Sequence, residues 1–169
     1  MSRHSLIVVV MGVAGSGKTT IGRLLAQSME CSFLEGDSLH PDANVAKMSQ
    51  GLPLTDADRS PWLAAVHAHM RDAFECSEDL VVACSALKQV YRALLTEGVP
   101  VTWVYLEATV EMLRARLERR TSHFMKANML TSQIAALEHP ADAIVIDASQ
   151  EPSAIINDIL TRLRGKTAS

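Results

Sequence analysis

The sequence predicts a three-layer α/β fold, in which a five-stranded parallel sheet carries helices on both faces. Three observations lead there. Five short aliphatic runs alternate with segments of helical apolar spacing along the whole chain. The composition, 48% hydrophobic but only 4% aromatic, suits an aliphatic core between layers better than an all-β sandwich. The first aliphatic run also leads directly into Gly12-Val13-Ala14-Gly15-Ser16-Gly17-Lys18-Thr19, a glycine-rich turn of the kind that joins a strand to a phosphate-binding helix.

Taken in order, Leu6 to Met11 is the first buried strand. Thr20 to Met29 follows as a helix with Ile21, Leu24, Leu25 and Met29 on one face. Ser32 to Glu35 is a short second strand, closed by Gly36-Asp37. Pro41 and Asp42 open a helix that runs to Met48 and is ended by Gly51 and Pro53. Asp56 to Arg59 reads as a helix entry and Pro61 to Phe74 as the helix itself. Leu80 to Cys84 is a third strand, and a helix spans Leu87 to Leu95. Val101 to Leu106 is the fourth strand, before a charged amphipathic helix from Val110 to Arg119. Thr121 to Asn128, polar and basic, suits a mobile loop ahead of a helix from Met129 to Leu137. Ala143 to Asp147 is the fifth strand, and Pro152 to Arg164 closes the chain as helix. No repeat or linker interrupts the pattern, so residues 1–169 read as one domain.

Charge and cysteines narrow the function. A formal net charge of −3 argues against nucleic acid or an anionic membrane as the main partner, so any anion site must come from local cations. No apolar run approaches the roughly 18 residues of a membrane span. Cys31, Cys76 and Cys84 are odd in number and form no C-x-x-C pair, the pattern of free thiols in a reducing cytoplasm.

In the glycine-rich turn, glycines let the backbone wrap a polyphosphate so that successive N–H groups and the next helix N-terminus face the anion. Residues Gly12 through Thr19, with Thr20 behind them, are the expected nucleotide-phosphate contacts. Lys18 would reach the outer phosphates and the Thr19 hydroxyl would sit on Mg²⁺. Ligands of parallel sheets bind beyond the strands' carboxyl ends, so the turns at Gly12–Thr19, Gly36–His40 and Ser85–Lys88 should share one cleft. Asp37 can there accept a proton from a substrate hydroxyl, orient it, or reach Mg²⁺ through water; a helix-capping role is the structural alternative. His40 fits a hydrogen bond to the neighbouring loop at least as well as a substrate contact. Lys88 and Arg92, four apart, share a helical face, a like-charge pairing that costs about 0.2–0.5 kcal/mol unless an anion lies between. With Arg59 they are candidates for a carboxylate or phosphate ligand. Arg114, Arg116, Arg119, Arg120 and Lys126 crowd one helix end, where some complement the helix dipole and one or two can reach over the phosphates. Asp147, at the end of the last strand, reads as a residue that closes a loop.

Together these motifs resemble the gluconate kinases among the phosphate-loop small kinases, which are related to shikimate and adenylate kinases. The resemblance runs through Met11–Thr19; Gly36-Asp37-Ser38-Leu39-His40-Pro41 with Asn44, Lys47, Met48, Gly51, Pro53 and Leu54; Asp56–Leu63; and Cys84-Ser85-Ala86-Leu87-Lys88 with Tyr91 and Arg92. Arg116, Leu117, Arg120, His123, Phe124, Leu130, Ser132, Gln133, Leu137 and Glu138 resemble the family's lid and following helix. The resemblance implies a nucleoside-monophosphate-kinase-like phosphate-loop fold with a mobile lid near residues 120–128. It implies ATP- and Mg²⁺-dependent phosphorylation of D-gluconate at its 6-hydroxyl, and a homodimer. Lys18, Asp37 and Arg120 would be catalytic, and His40, Arg59, Lys88 and Arg92 would contact the sugar acid. Two positions depart from the pattern: Glu35 stands where related kinases often have Asp, and Ser122 where the family usually has Gly. The competing classes are a shikimate-like or nucleotide kinase and a nucleotide-dependent switch. The chain lacks the Asn-Lys-x-Asp guanine reader, and few aromatics are available to clamp a base.

Overall fold

A computed structural model describes residues 4–120 and 123–168. The chain runs β1 (Ile7–Met11), α1 (Lys18–Met29), β2 (Ser32–Glu35), a 3-10 turn (Gly36–Leu39), α2 (Asp42–Ser49), α3 (Asp56–Glu75) and β3 (Leu80–Ala83). It continues through α4 (Gln89–Leu95), β4 (Val101–Glu107), α5 (Val110–Glu118), α6 (His123–Ala136), β5 (Ala143–Asp147) and α7 (Pro152–Thr167). The five strands are all parallel, in the order β2-β3-β1-β4-β5. The predicted three-layer fold is therefore the observed one.

Strand periodicity builds the two halves of the core. Ile7, Val9 and Met11 point to the face covered by α3 and α4, where they meet Trp62, Leu63, Val66, Met70, Tyr91 and Leu95. Val8 and Val10 point to the opposite face, packing with Ile21 and Leu25 of α1 and Ile155, Ile159 and Leu163 of α7. Each aliphatic side chain so enclosed contributes about 1.5–3 kcal/mol. A third cluster of Val13, Leu87, Leu113 and Leu130 holds α5 and α6 over the carboxyl end of the sheet.

Three element boundaries differ from the sequence reading. Helix α3 is continuous from Asp56, because Thr55 and Asp58 form a reciprocal capping box, and it runs on through Pro61. Helix α4 starts at Gln89 rather than Leu87, because Lys88 is extended at φ −102° and ψ 148°, a conformation that a helix interior excludes. The mobile loop expected over Thr121–Asn128 is helical from His123 onward, in keeping with the good helix propensity of Met125, Lys126 and Ala127. Thr121 and Ser122, and with them the question of a left-handed residue at 122, lie outside the described residues. Among the described residues no helix is long and apolar enough to cross a membrane.

Candidate active site

Because β2, β3 and β1 are neighbours in the sheet, the turns that leave them converge, as the strand order requires. The turn after β1 is built on glycines in conformations other residues resist: Gly15 has φ 85° and Gly17 φ 99°. At Gly12 a Cβ would come within 2.7 Å of Ser16 Oγ. Lys18 opens α1 and folds back across this turn, its Nζ donating to Val13 O at 3.1 Å. Burial lowers the Lys18 pKa, against the nearby Asp37, Cys84 and Glu35, which raise it. A bound polyphosphate would favour the charged ammonium. Ser16 Oγ is buried without a hydrogen-bond partner among the described residues.

The acceptor side is assembled from β2, α2 and α3. Gly36 lies so close to β3 that a Cβ there would sit 2.5 Å from Ala83 O, and this backbone contact sets where Asp37 emerges. Trp62 Nε1 donates to Gly36 O at 2.8 Å, and the indole stacks on the His40 ring with centroids 4.1 Å apart. Buried Asn44 uses its amide N–H groups on Asp58 O at 2.8 Å and on His40 Nδ1 at 3.2 Å. An amide nitrogen only donates, so His40 Nδ1 accepts and the ring proton sits on Nε2, 3.9 Å from Asp37 Oδ1. Burial lowers the His40 pKa, which keeps the ring neutral.

The predicted site residues separate into two groups. Lys18, Asp37, His40 and Arg59 line one pocket, together with Ala14, Trp62, Ser85, Met129 and Gln133. Lys18, Thr19, Thr20, Asp37 and Arg120 line a second that shares Ala14, Lys18, Asp37 and Met129 with the first. Lys88 and Arg92 line neither. Lys88 Nζ is paired with Asp56 Oδ1 at 3.0 Å. Arg92 is only 3% exposed, and its guanidinium is committed to Ala86 O at 2.7 Å, Leu87 O at 3.1 Å, Gln89 Oε1 at 3.2 Å and Glu138 O at 2.8 Å. The like-charge spacing of Lys88 and Arg92 is thus resolved by protein carbonyls and a carboxylate, without a ligand between them. Arg59 instead stays at the pocket, steadied by a 3.0 Å bond from Nη1 to the Tyr91 hydroxyl, which itself donates to Asp56.

Two residues that the sequence named only within longer sets prove to hold the phosphate loop. Arg116 reaches from α5 to Gly15 O at 3.2 Å, Ser16 O at 3.1 Å and Ala148 O at 2.7 Å, so it holds the phosphate-loop carbonyls from behind. A cation at a helix end gave the signal, but only the packing of α5 on the loop singles it out. Gln133 Oε1 accepts the Ala14 N–H at 2.7 Å. Asp147 closes its loop as expected, accepting from Ser149 N at 2.9 Å and Ser149 Oγ at 2.7 Å.

Hard oxygen donors collect where a divalent cation would meet phosphate. The Thr19 hydroxyl donates to Glu35 Oε2, Glu35 Oε1 accepts from Asp37 N at 3.5 Å, and Asp37 lines the same pocket as Thr19. These groups suit Mg²⁺. Among the described residues no cluster of three or more His, Cys, Asp and Glu side chains could hold a metal ion.

A phosphate loop opening toward a second pocket with a carboxylate and an arginine defines a phosphate-loop kinase of small molecules. The shikimate kinase family matches residues 14–164. Within that wider group, a gluconokinase from Gluconobacter oxydans is 42% identical over 163 residues, covering 94% of this chain and 92% of its own. The crystal structure of a gluconokinase from Sinorhizobium meliloti superposes with a TM-score of 0.86 at 39% identity, over 98% of this chain and 97% of that one. An unliganded sugar kinase from Janibacter sp. matches with a TM-score of 0.87 at 41% identity, over 95% of each chain. The chain belongs to the gluconokinase family.

Proposed function

We propose that the protein is an ATP-dependent gluconokinase (EC 2.7.1.12), transferring the γ-phosphoryl group of ATP to the 6-hydroxyl of D-gluconate to give 6-phospho-D-gluconate. The observation that carries this reading is the pair of pockets sharing Ala14, Lys18, Asp37 and Met129, which sets an acceptor beside the phosphate loop. The gluconokinase relatives name the acceptor.

Lys18 neutralises charge on the transferring group, and the backbone N–H groups of the loop cradle the phosphates. Asp37 hydrogen-bonds the attacking hydroxyl and aligns it with the phosphorus; in a largely dissociative transfer, alignment outweighs early proton removal. Arg120, whose charge lies near enough to lower the Lys18 pKa, covers the phosphates from a lid at residues 120–128. Arg59 pairs with the gluconate carboxylate, to which its planar fork is matched. His40 presents its Nε2–H beside Asp37 and contacts a substrate hydroxyl. Thr19 and, through water, Asp37 would hold Mg²⁺, which when bound would neutralise charge at the phosphates. A cytoplasmic location is supported by the free thiols of Cys31, Cys76 and Cys84, and a homodimer by the family resemblance.

A coupled assay across gluconate, shikimate, glycerate and nucleoside monophosphates tests the proposal. Turnover on gluconate far above the rest is the expected result; preference for shikimate or a nucleotide overturns it.

A further inference from the structure

Gln133 joins the two reactant-binding parts of the site through a single side chain. Its Oε1 accepts the Ala14 N–H at 2.7 Å, across 119 residues of sequence. A backbone N–H can only donate, so this bond decides which end of the amide is oxygen. The other end, Nε2, is a donor of two hydrogen bonds. Gln133 lines the acceptor pocket with Asp37, His40 and Arg59, but it does not line the phosphate pocket, where Ala14 reappears. The helix beneath it is anchored on both sides. Leu130 is buried against Val13, Leu87 and Leu113, and beyond the helix end Glu138 N donates to Leu87 O at 2.8 Å. The amide is therefore held in place before any ligand arrives.

We propose that Gln133 is a specificity-determining residue for the acceptor: Nε2 donates to a hydroxyl oxygen of the sugar acid while Oε1 keeps hold of the phosphate loop at Ala14. The inference rests on the gluconokinase reading for the acceptor's chemistry. A polyol presents lone pairs that an amide donor satisfies, and a phosphate loop restrained from the acceptor side stays in register with the hydroxyl to be phosphorylated.

Two near-isosteric variants separate the two ends of the amide. Gln133→Glu keeps an oxygen for Ala14 and loses the donor, whereas Gln133→Met keeps the length and loses both. Steady-state kinetics give the KM for gluconate, and calorimetry gives the ATP dissociation constant without gluconate. Both variants are expected to raise the gluconate KM about tenfold, the size of one lost hydrogen bond in a desolvated site. The ATP dissociation constant is expected to rise about threefold or more in Gln133→Met and to stay near the unaltered value in Gln133→Glu. If the introduced charge alone mattered, Gln133→Met would leave the gluconate KM unchanged, and that result overturns the proposal. So does an ATP dissociation constant that responds equally in both variants. An unaltered protein that fails to phosphorylate gluconate overturns the functional reading instead, a result distinguishable from either of these.

Discussion

Asp37 enters the cleft because the residue before it has no side chain: Gly36 packs on Ala83 O where a Cβ would stand at 2.5 Å. Asp37→Asn retains size and some hydrogen bonding but loses the base. A fall in kcat of about 10²–10⁴-fold with unchanged ATP affinity is expected if proton transfer governs the step. A fall of less than about tenfold, with Asp37→Ala much worse, identifies alignment as the main role. Arg59, Lys88 and Arg92 differ by their partners more than by their charge. Arg59→Ala is expected to raise the KM for gluconate by about tenfold or more and to spare that for ATP, in line with a lost charge-assisted bond. Lys88→Ala should leave both near the unaltered values, since its ammonium is engaged by Asp56. Steady-state titration of each substrate against each variant decides between them. Arg92 is a matter of stability. Arg92→Met orphans the carbonyls of Ala86, Leu87 and Glu138 and should cost about 3 kcal/mol in denaturant unfolding.

At the scale of the element, α3 shows how a local motif places distant chemistry. Its capping box lets Asp58 accept from Thr55 N at 2.9 Å and from Lys47 Nζ at 2.7 Å, so the helix start is tied to α2. One turn further on, α3 carries Arg59 and Trp62, which face the acceptor pocket. The Lys47 bond, followed by the Thr55 bonds, lowers the Asp58 pKa from 3.8 to about 2. A carboxyl whose folded pKa is depressed stabilises the fold above its unfolded pKa, and that contribution disappears as pH falls through the folded one. Thermal melts should therefore lose an Asp58-dependent component between about pH 4 and pH 2. Asp58→Asn is expected to lower Tm at neutral pH and to flatten the acid limb. Equal Tm differences at pH 7 and pH 2 would show that the carboxylate's charge plays no part.

Across the whole molecule, the phosphate loop is held from two sides by side chains remote in sequence. Gln133 grips it through an N–H, and Arg116 through two carbonyls while bonding Ala148 O beyond β5. Pulling carbonyls toward a cation on the outer side keeps them from the phosphates, which repel them. Arg116→Met is expected to raise the KM for ATP by about tenfold and leave that for gluconate within about twofold, the loss of a charged clamp behind one ligand only. Parallel changes in both constants would indicate a general loosening of the carboxyl end of the sheet.

The order of strands and helices, the phosphate loop and the candidacy of Asp37 were legible in the sequence, because each depends on neighbours within a few residues: apolar alternation, glycine spacing, a carboxylate at a strand end. Boundaries failed where a tertiary contact or a backbone conformation intervened, as at α4, where the extended Lys88 delays the helix and the carbonyl of Ala86 receives Arg92. Which of three similar cations faces the acceptor was not legible, since Arg59, Lys88 and Arg92 are distinguished by Tyr91, Asp56 and buried carbonyls respectively. Gln133 and Arg116 were invisible as partners of the loop for the same reason: their contacts cross 119 and 101 residues. Local pattern determines what a residue can do, and only the packing of distant elements decides which of its possible partners it meets.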